Sequence, residues 1–80
     1  MELEKYLEFV IAAAKEVFMT EDITAETRFE DDLHAKSINI AQLMNALEDE
    51  YDVEVPYMKF KRQETLQQAA EFVMGLVEEE

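Results

Sequence analysis

Cysteine is absent from these 80 residues, and proline and glycine occur once each. Without cysteine there is no disulfide scaffold and no thiolate zinc site, and a reducing, cytoplasmic setting is the simplest expectation. One Pro and one Gly leave almost none of the punctuation that a multi-strand fold needs at its turns. Long apolar runs are missing as well. The longest, Phe9 to Ala14, is far too short to span a bilayer, and no signal-like apolar segment follows basic residues at the start. Basic residues are scarce: seven against twenty acids, for a formal charge of -13. Such a field repels nucleic acid and anionic lipid and attracts proteins that present Arg/Lys patches. Neither a nucleic-acid partner nor membrane insertion is therefore expected. A chain of this size buries only about 60–65% of its unfolded surface, so its core is thin and leaves no room for a deep catalytic cleft. An enzyme is disfavoured.

What is present is helical periodicity. Leu3, Leu7, Val10, Ile11, Ala14, Val17 and Phe18 recur at steps of three and four, which predicts a helix from about Glu2 to Met19. Ile40, Leu43 or Met44, Leu47 and Tyr51 predict a second over Ser37 to Tyr51. Leu66, Ala69, Ala70, Val73, Leu76 and Val77 predict a third from Leu66 to Val77, opened by Thr65 and Gln68 in a capping-box pattern. The connection from Thr20 to Lys36 is too polar for another full helix, but Ile23, Phe29 and Leu33 are apolar anchors that should pin it. Val53 and Val55 alternate with acids, yet no partner strand exists and Pro56 follows, so a short helical turn from Tyr57 to Arg62 is the better reading. The expected architecture is all-α: one domain, residues 1–80, forming a small four-helix bundle with three long helices and a short third one.

Ser37 stands where the second helix should begin, after an acidic stretch with one His and one Lys. Taken alone it reads as an N-cap, a common use of serine. The run Phe29-Glu30-Asp31-Asp32-Leu33-His34-Ala35-Lys36-Ser37-Ile38, however, resembles the acyl carrier protein signature Phe-x-Asp-Asp-Leu-Gly-x-Asp-Ser-Leu. Ala46-Leu47-Glu48-Asp49-Glu50-Tyr51-Asp52-Val53-Glu54-Val55-Pro56 is similar to that family's Ala-Leu-Glu-Glu-Glu-Phe-Asp-Ile-Glu-Ile-Pro.

The resemblance implies a non-enzymatic carrier. Ser37 would hold covalent 4'-phosphopantetheine derived from coenzyme A, whose thiol bears acyl groups as thioesters in fatty acid, polyketide or related lipid biosynthesis. The implied partners are a phosphopantetheinyl transferase and acyl-transferring or condensing enzymes, with the chain acting as a monomer. It also implies an acyl slot lined by Leu43, Met44, Leu47, Val55, Phe60, Leu66 and Ala70, although core packing accounts for each of these equally well. The candidate docking residues are Lys36, Asn39, Gln42, Glu48, Asp49, Lys59, Lys61 and Arg62.

Several of these depart from the family pattern. Lys36 replaces the Asp that precedes the modified Ser and helps the transferase and its magnesium engage, and an ammonium offers no oxygen donor to a hard cation. His34 replaces a Gly, so the backbone there is expected to avoid the left-handed region or to occupy it at a cost. Asn39 and Gln42 stand where acids are common, and Lys59, Lys61 and Arg62 make the short helix basic. These departures point to a specialised carrier. The rival readings are an unmodified interaction module on the same fold, which Lys36 favours, and a simple acidic regulatory bundle. An EF-hand fails on carboxylate spacing and on the missing turn glycine, and no metal site is expected.

Overall fold

The first apolar stripe winds into α1, Glu2–Phe18, in a computed structural model that describes residues 2–79. Met1 and Glu80 lie outside the described residues; the acidic run Glu78-Glu79-Glu80 reads from the sequence as a solvated tail, and its last residue is one of these two. The remaining helices are α2, Ser37–Tyr51, α3, Tyr57–Phe60, and α4, Leu66–Glu78. The chain is thus an all-α bundle with three long helices and one short one, as its periodicity predicts.

The differences from expectation lie at the helix ends. Met19 takes a left-handed φ of 56°, which closes α1 one residue early. α3 stops two residues before Arg62, where Arg62 N–H bonds the Lys59 carbonyl three residues back at 3.2 Å, a tighter 3₁₀-type turn. At the start of α4, Thr65 Oγ1 accepts from Gln68 N–H at 3.1 Å. The return bond of the expected capping box is displaced: Gln68 Oε1 accepts from Glu64 N–H at 2.8 Å, one residue before the cap.

α1 packs most extensively on α4 and next on α2, while α3 rests against α2. Val10, Ala14, Leu43, Leu47, Leu66, Ala69, Ala70 and Val73 have no exposed surface at their centre. Burial of each larger side chain contributes about 1.5–3 kcal/mol. The 20–36 connection is pinned as its apolar residues suggest. Ile23 and Phe29 are buried, Leu33 is half-buried, and Thr27 is a buried polar anchor whose hydroxyl accepts from Thr24 N–H at 2.8 Å. Three ring contacts run through the core from α1 to α4: Phe18 to Phe29 at 6.5 Å, Phe29 to Phe60 at 6.5 Å and Phe60 to Phe72 at 6.3 Å.

At the opposite end, α1 and α4 bring like charges together. Tyr6 Oη donates to Glu78 Oε2 at 3.3 Å. A hydrogen bond with the neighbouring Glu2 carboxyl holds the pKa of exposed Glu78 above the usual range; some loss of hydration and repulsion from Glu2 add to this, against a lowering by Tyr6. A carboxyl whose pKa is raised by folding stabilises the fold below its unfolded pKa and loses that contribution as pH climbs through the folded value. The stability difference between wild type and Glu78→Gln is therefore expected to grow in favour of the variant from the mid-acid range to pH ~7, as read by urea denaturation across pH.

Candidate functional site

The turn that leads to Ser37 is built from its own sequence. Asp32 Oδ2 accepts from Arg28 N–H at 2.8 Å, while the Asp32 and Leu33 N–H groups both return to the Arg28 carbonyl at 3.1 Å. His34 N–H bonds the Glu30 carbonyl at 3.0 Å and Ala35 N–H bonds the Phe29 carbonyl at 2.8 Å. With His34 at φ 51°, its bond to the carbonyl four residues back closes an αL motif, wrapped by the wider bond from Ala35 to Phe29, and the left-handed position of such a motif is normally glycine. Of the two options left open by the sequence, His34 occupies the left-handed region, and the bonding pattern requires it to do so. Asp31 sits within 3.9 Å of Arg28, which also lies 3.9 Å from Glu64. Glu30, Asp31 and Asp32 thus stabilise a turn, and no cluster able to hold a metal occurs among the described residues.

Ser37 is the first helical residue, and the N-cap position belongs to Lys36, whose backbone is extended at φ -107°, ψ 168°. This corrects the N-cap reading of Ser37. A lysine side chain has no acceptor, so only the reciprocal half of a capping box forms: Asn39 Oδ1 accepts from Lys36 N–H at 3.0 Å. The Ser37 hydroxyl is exposed and has no hydrogen-bond partner among the described residues. The backbone N–H groups of Ser37, Ile38 and Asn39 likewise find no acceptor there. An exposed hydroxyl, free helix-end donors and the adjacent Lys36 ammonium together suit a phosphodiester on Ser37.

The remaining candidates fall into separate places. Gln42 and Asp49 are exposed on α2, and Asn39 is half-buried and committed to the cap. Glu48 is committed too: its Oε2 accepts from Val55 N–H at 2.8 Å and ties the segment after α2 back to the helix. Sequence reading assigned Glu48 to docking, and this internal bond is a structural task it did not foresee. Lys61 and Arg62 line a cavity of about 370 Å³ against Arg28, Phe29, Glu30 and Asp31. Lys61 Nζ also lies 5.8 Å from the centre of the Tyr57 ring. Lys59 opens instead onto a groove beside α4.

Of the seven acyl-slot candidates, Leu43, Leu47, Val55, Phe60, Leu66 and Ala70 are buried and Met44 is half-buried against them. Val55 also lines a surface groove. The others are packed on one another, so a slot there requires helices to part. Exposed Ile38 and Met58, 61% and 59% accessible, are apolar surface that sequence reading passed over. A signal for Ile38 was available: it falls off the α2 stripe that begins at Ile40.

A family model described as "Phosphopantetheine attachment site" matches residues 8–73. The match takes in the turn, all of α2 and α3, and most of α1 and α4.

A bulky residue held left-handed costs about 1–2 kcal/mol, against about 0.5–1 kcal/mol for the extra unfolded freedom of glycine. His34→Gly should therefore stabilise the fold by about 0.5–1 kcal/mol, as measured by chemical denaturation.

Proposed function

Because the chain belongs to the phosphopantetheine attachment family, whose domains take up covalent 4'-phosphopantetheine and carry acyl groups without catalysing their reactions, we propose that Ser37 is the attachment residue. The observation that carries this reading is the bare, exposed hydroxyl at the first position of α2, relieved of capping by Lys36 and Asn39. When bound, the arm supplies a thiol on which acyl groups ride as thioesters. The chain's residues supply the rest. The pinned turn fixes the direction of the hydroxyl, the free N–H groups of Ser37, Ile38 and Asn39 receive the phosphodiester oxygens, and Lys36 offsets their charge.

The pathway proposed is fatty acid, polyketide or related lipid biosynthesis, in the cytoplasm and as a monomer, with residues 1–80 working as one carrier domain. Partners are a phosphopantetheinyl transferase and acyl-transferring or condensing enzymes. The charge they meet is mixed in this -13 chain: Lys36 lies beside the hydroxyl, and Lys61 and Arg62 share the cavity at the turn with Glu30, Asp31 and Glu64. Partner surfaces complementary to it carry acids opposite these cations. Storage of an acyl chain among Leu43, Met44, Leu47 and their neighbours proceeds by parting the packed core.

Incubation with coenzyme A, magnesium and a broad-specificity transferase should add one phosphopantetheine mass, absent from Ser37→Ala. The alanine variant should stay folded, since the lost hydroxyl makes no bond and surface changes of this kind shift stability within about 0.5 kcal/mol. No mass gain in either wild type or Lys36→Asp would favour the unmodified interaction module. A gain only in Lys36→Asp would identify Lys36 as a selector for a dedicated transferase. For docking, the Lys61→Glu, Arg62→Glu double variant should raise the KM of the loading enzyme for this chain at least about threefold; an unchanged KM removes those residues from the docking surface.

A further inference from the structure

Two grooves join on the side of the bundle away from Ser37. One, about 750 Å³, is lined by residues of the α2–α3 connection and Leu76; the other, about 400 Å³, lies between α3 and α4. Pro56 and Leu76 line both, so the two make one channel. It takes in Glu48 and Asp52 at the C-terminal end of α2, and fourteen helical residues lie between Ser37 and Asp52, about 20 Å along the helix axis.

The floor of the channel is apolar, with Val53, Pro56, Phe72 and Leu76, and its rim is acidic, with Asp52, Glu54, Glu71 and Glu79 against the single base Lys59. None of those four acids forms an ion pair among the described residues. The chain's one glycine, Gly75, lies exposed in the wall contributed by α4. A Cβ at Gly75 would meet nothing within 4 Å, so no contact inside this chain accounts for a glycine there. Its backbone is helical, where glycine weakens a helix. What its missing side chain does provide is room in the channel.

We propose that this channel is a second protein-docking site, which takes a partner segment that sets an apolar side chain between arginines or lysines. Charge selects the occupant. A second copy of this -13 chain would bring acids to an acidic rim, and an anionic lipid surface would be repelled in the same way. A basic, amphipathic segment satisfies both the rim and the floor. The site works apart from the carrier residue, so it can be tested on the unmodified chain whatever the outcome at Ser37.

The probe is a short peptide of leucines spaced among arginines, with a control in which glycines replace the leucines at equal charge. Both are titrated into isotope-labelled chain at about 0.15 M salt and followed by amide shifts. The expected result is perturbation concentrated at Val53, Glu54 and Phe72 to Leu76, with the leucine peptide binding at least about tenfold more tightly than its control. Gly75→Lys fills the channel and adds a cation to a last turn of α4 that has none, so it should weaken binding at least about tenfold without lowering Tm. Glu71→Gln with Glu79→Gln should weaken binding without adding bulk. Equal binding of the two peptides, shifts spread along α2, or undiminished binding by Gly75→Lys would overturn the proposal.

Discussion

Phe29 is bonded through its ring, its N–H and its carbonyl at once, and the geometry around Ser37 depends on that. The ring is buried against Phe18 and Phe60, the N–H donates to the Glu64 carbonyl at 3.0 Å, and the carbonyl accepts from Ala35 N–H at 2.8 Å. The first contact fixes the turn to the core, the second to the segment before α4, and the third closes the turn two residues before Ser37. A serine at the end of a seventeen-residue connection, Thr20 to Lys36, would otherwise swing with that connection. Here the apolar residue that opens the motif is also the one that immobilises it, so the Ser37 hydroxyl is held in a fixed position.

The closure works without the residue type that suits it. Met19, His34 and Asp52 all take left-handed φ values of 51–56°, each at a turn or helix end where glycine is the usual solution. Asp52 does so with an αL cap, its N–H on the Glu48 carbonyl at 2.8 Å, while the Glu48 carboxylate holds Val55 N–H. Both ends of the α2–α3 connection are therefore tied to one residue. The ties stabilise conformations that their side chains disfavour by about 1–2 kcal/mol each. They also explain how so glycine-poor a chain closes its helix ends and its turn.

Helix positions were legible because burial imposes a 3.6-residue period on any amphipathic helix, and Leu43, Leu47, Leu66 and Val73 sit where that period put them. The anchoring of Ile23, Phe29 and Leu33 was legible for a similar reason: isolated apolar residues in a polar stretch have little other use. Side-chain bonds to backbone were not legible. Whether Ser37 or Lys36 occupies the N-cap is a shift of one residue, decided by the Asn39 carboxamide reaching back to Lys36 N–H. Glu48 looks like any surface acid until the chain after α2 folds back and presents Val55 N–H to it. Nor could sequence show that Lys59 parts from Lys61 and Arg62, because a four-residue helix turns neighbouring side chains toward different grooves.

That parting bears on how the carrier meets its partners. α2 separates Ser37 from the acidic channel by about 20 Å, and the two ends differ in charge: Lys36, Lys61 and Arg62 stand among Glu30, Asp31 and Glu64 at the first, while Asp52, Glu54, Glu71 and Glu79 outnumber Lys59 at the second. A partner that touches only the first end meets cations and acids side by side. One that touches both must place an acid opposite Lys36 and bases about 20 Å away, a stricter demand than a uniform basic patch and one that is missed if the chain docks the wrong way round. Unequal charge at the two ends thus bears on orientation as well as affinity. For a chain whose net charge alone would draw basic surfaces to any face, that unevenness is what distinguishes one end from the other.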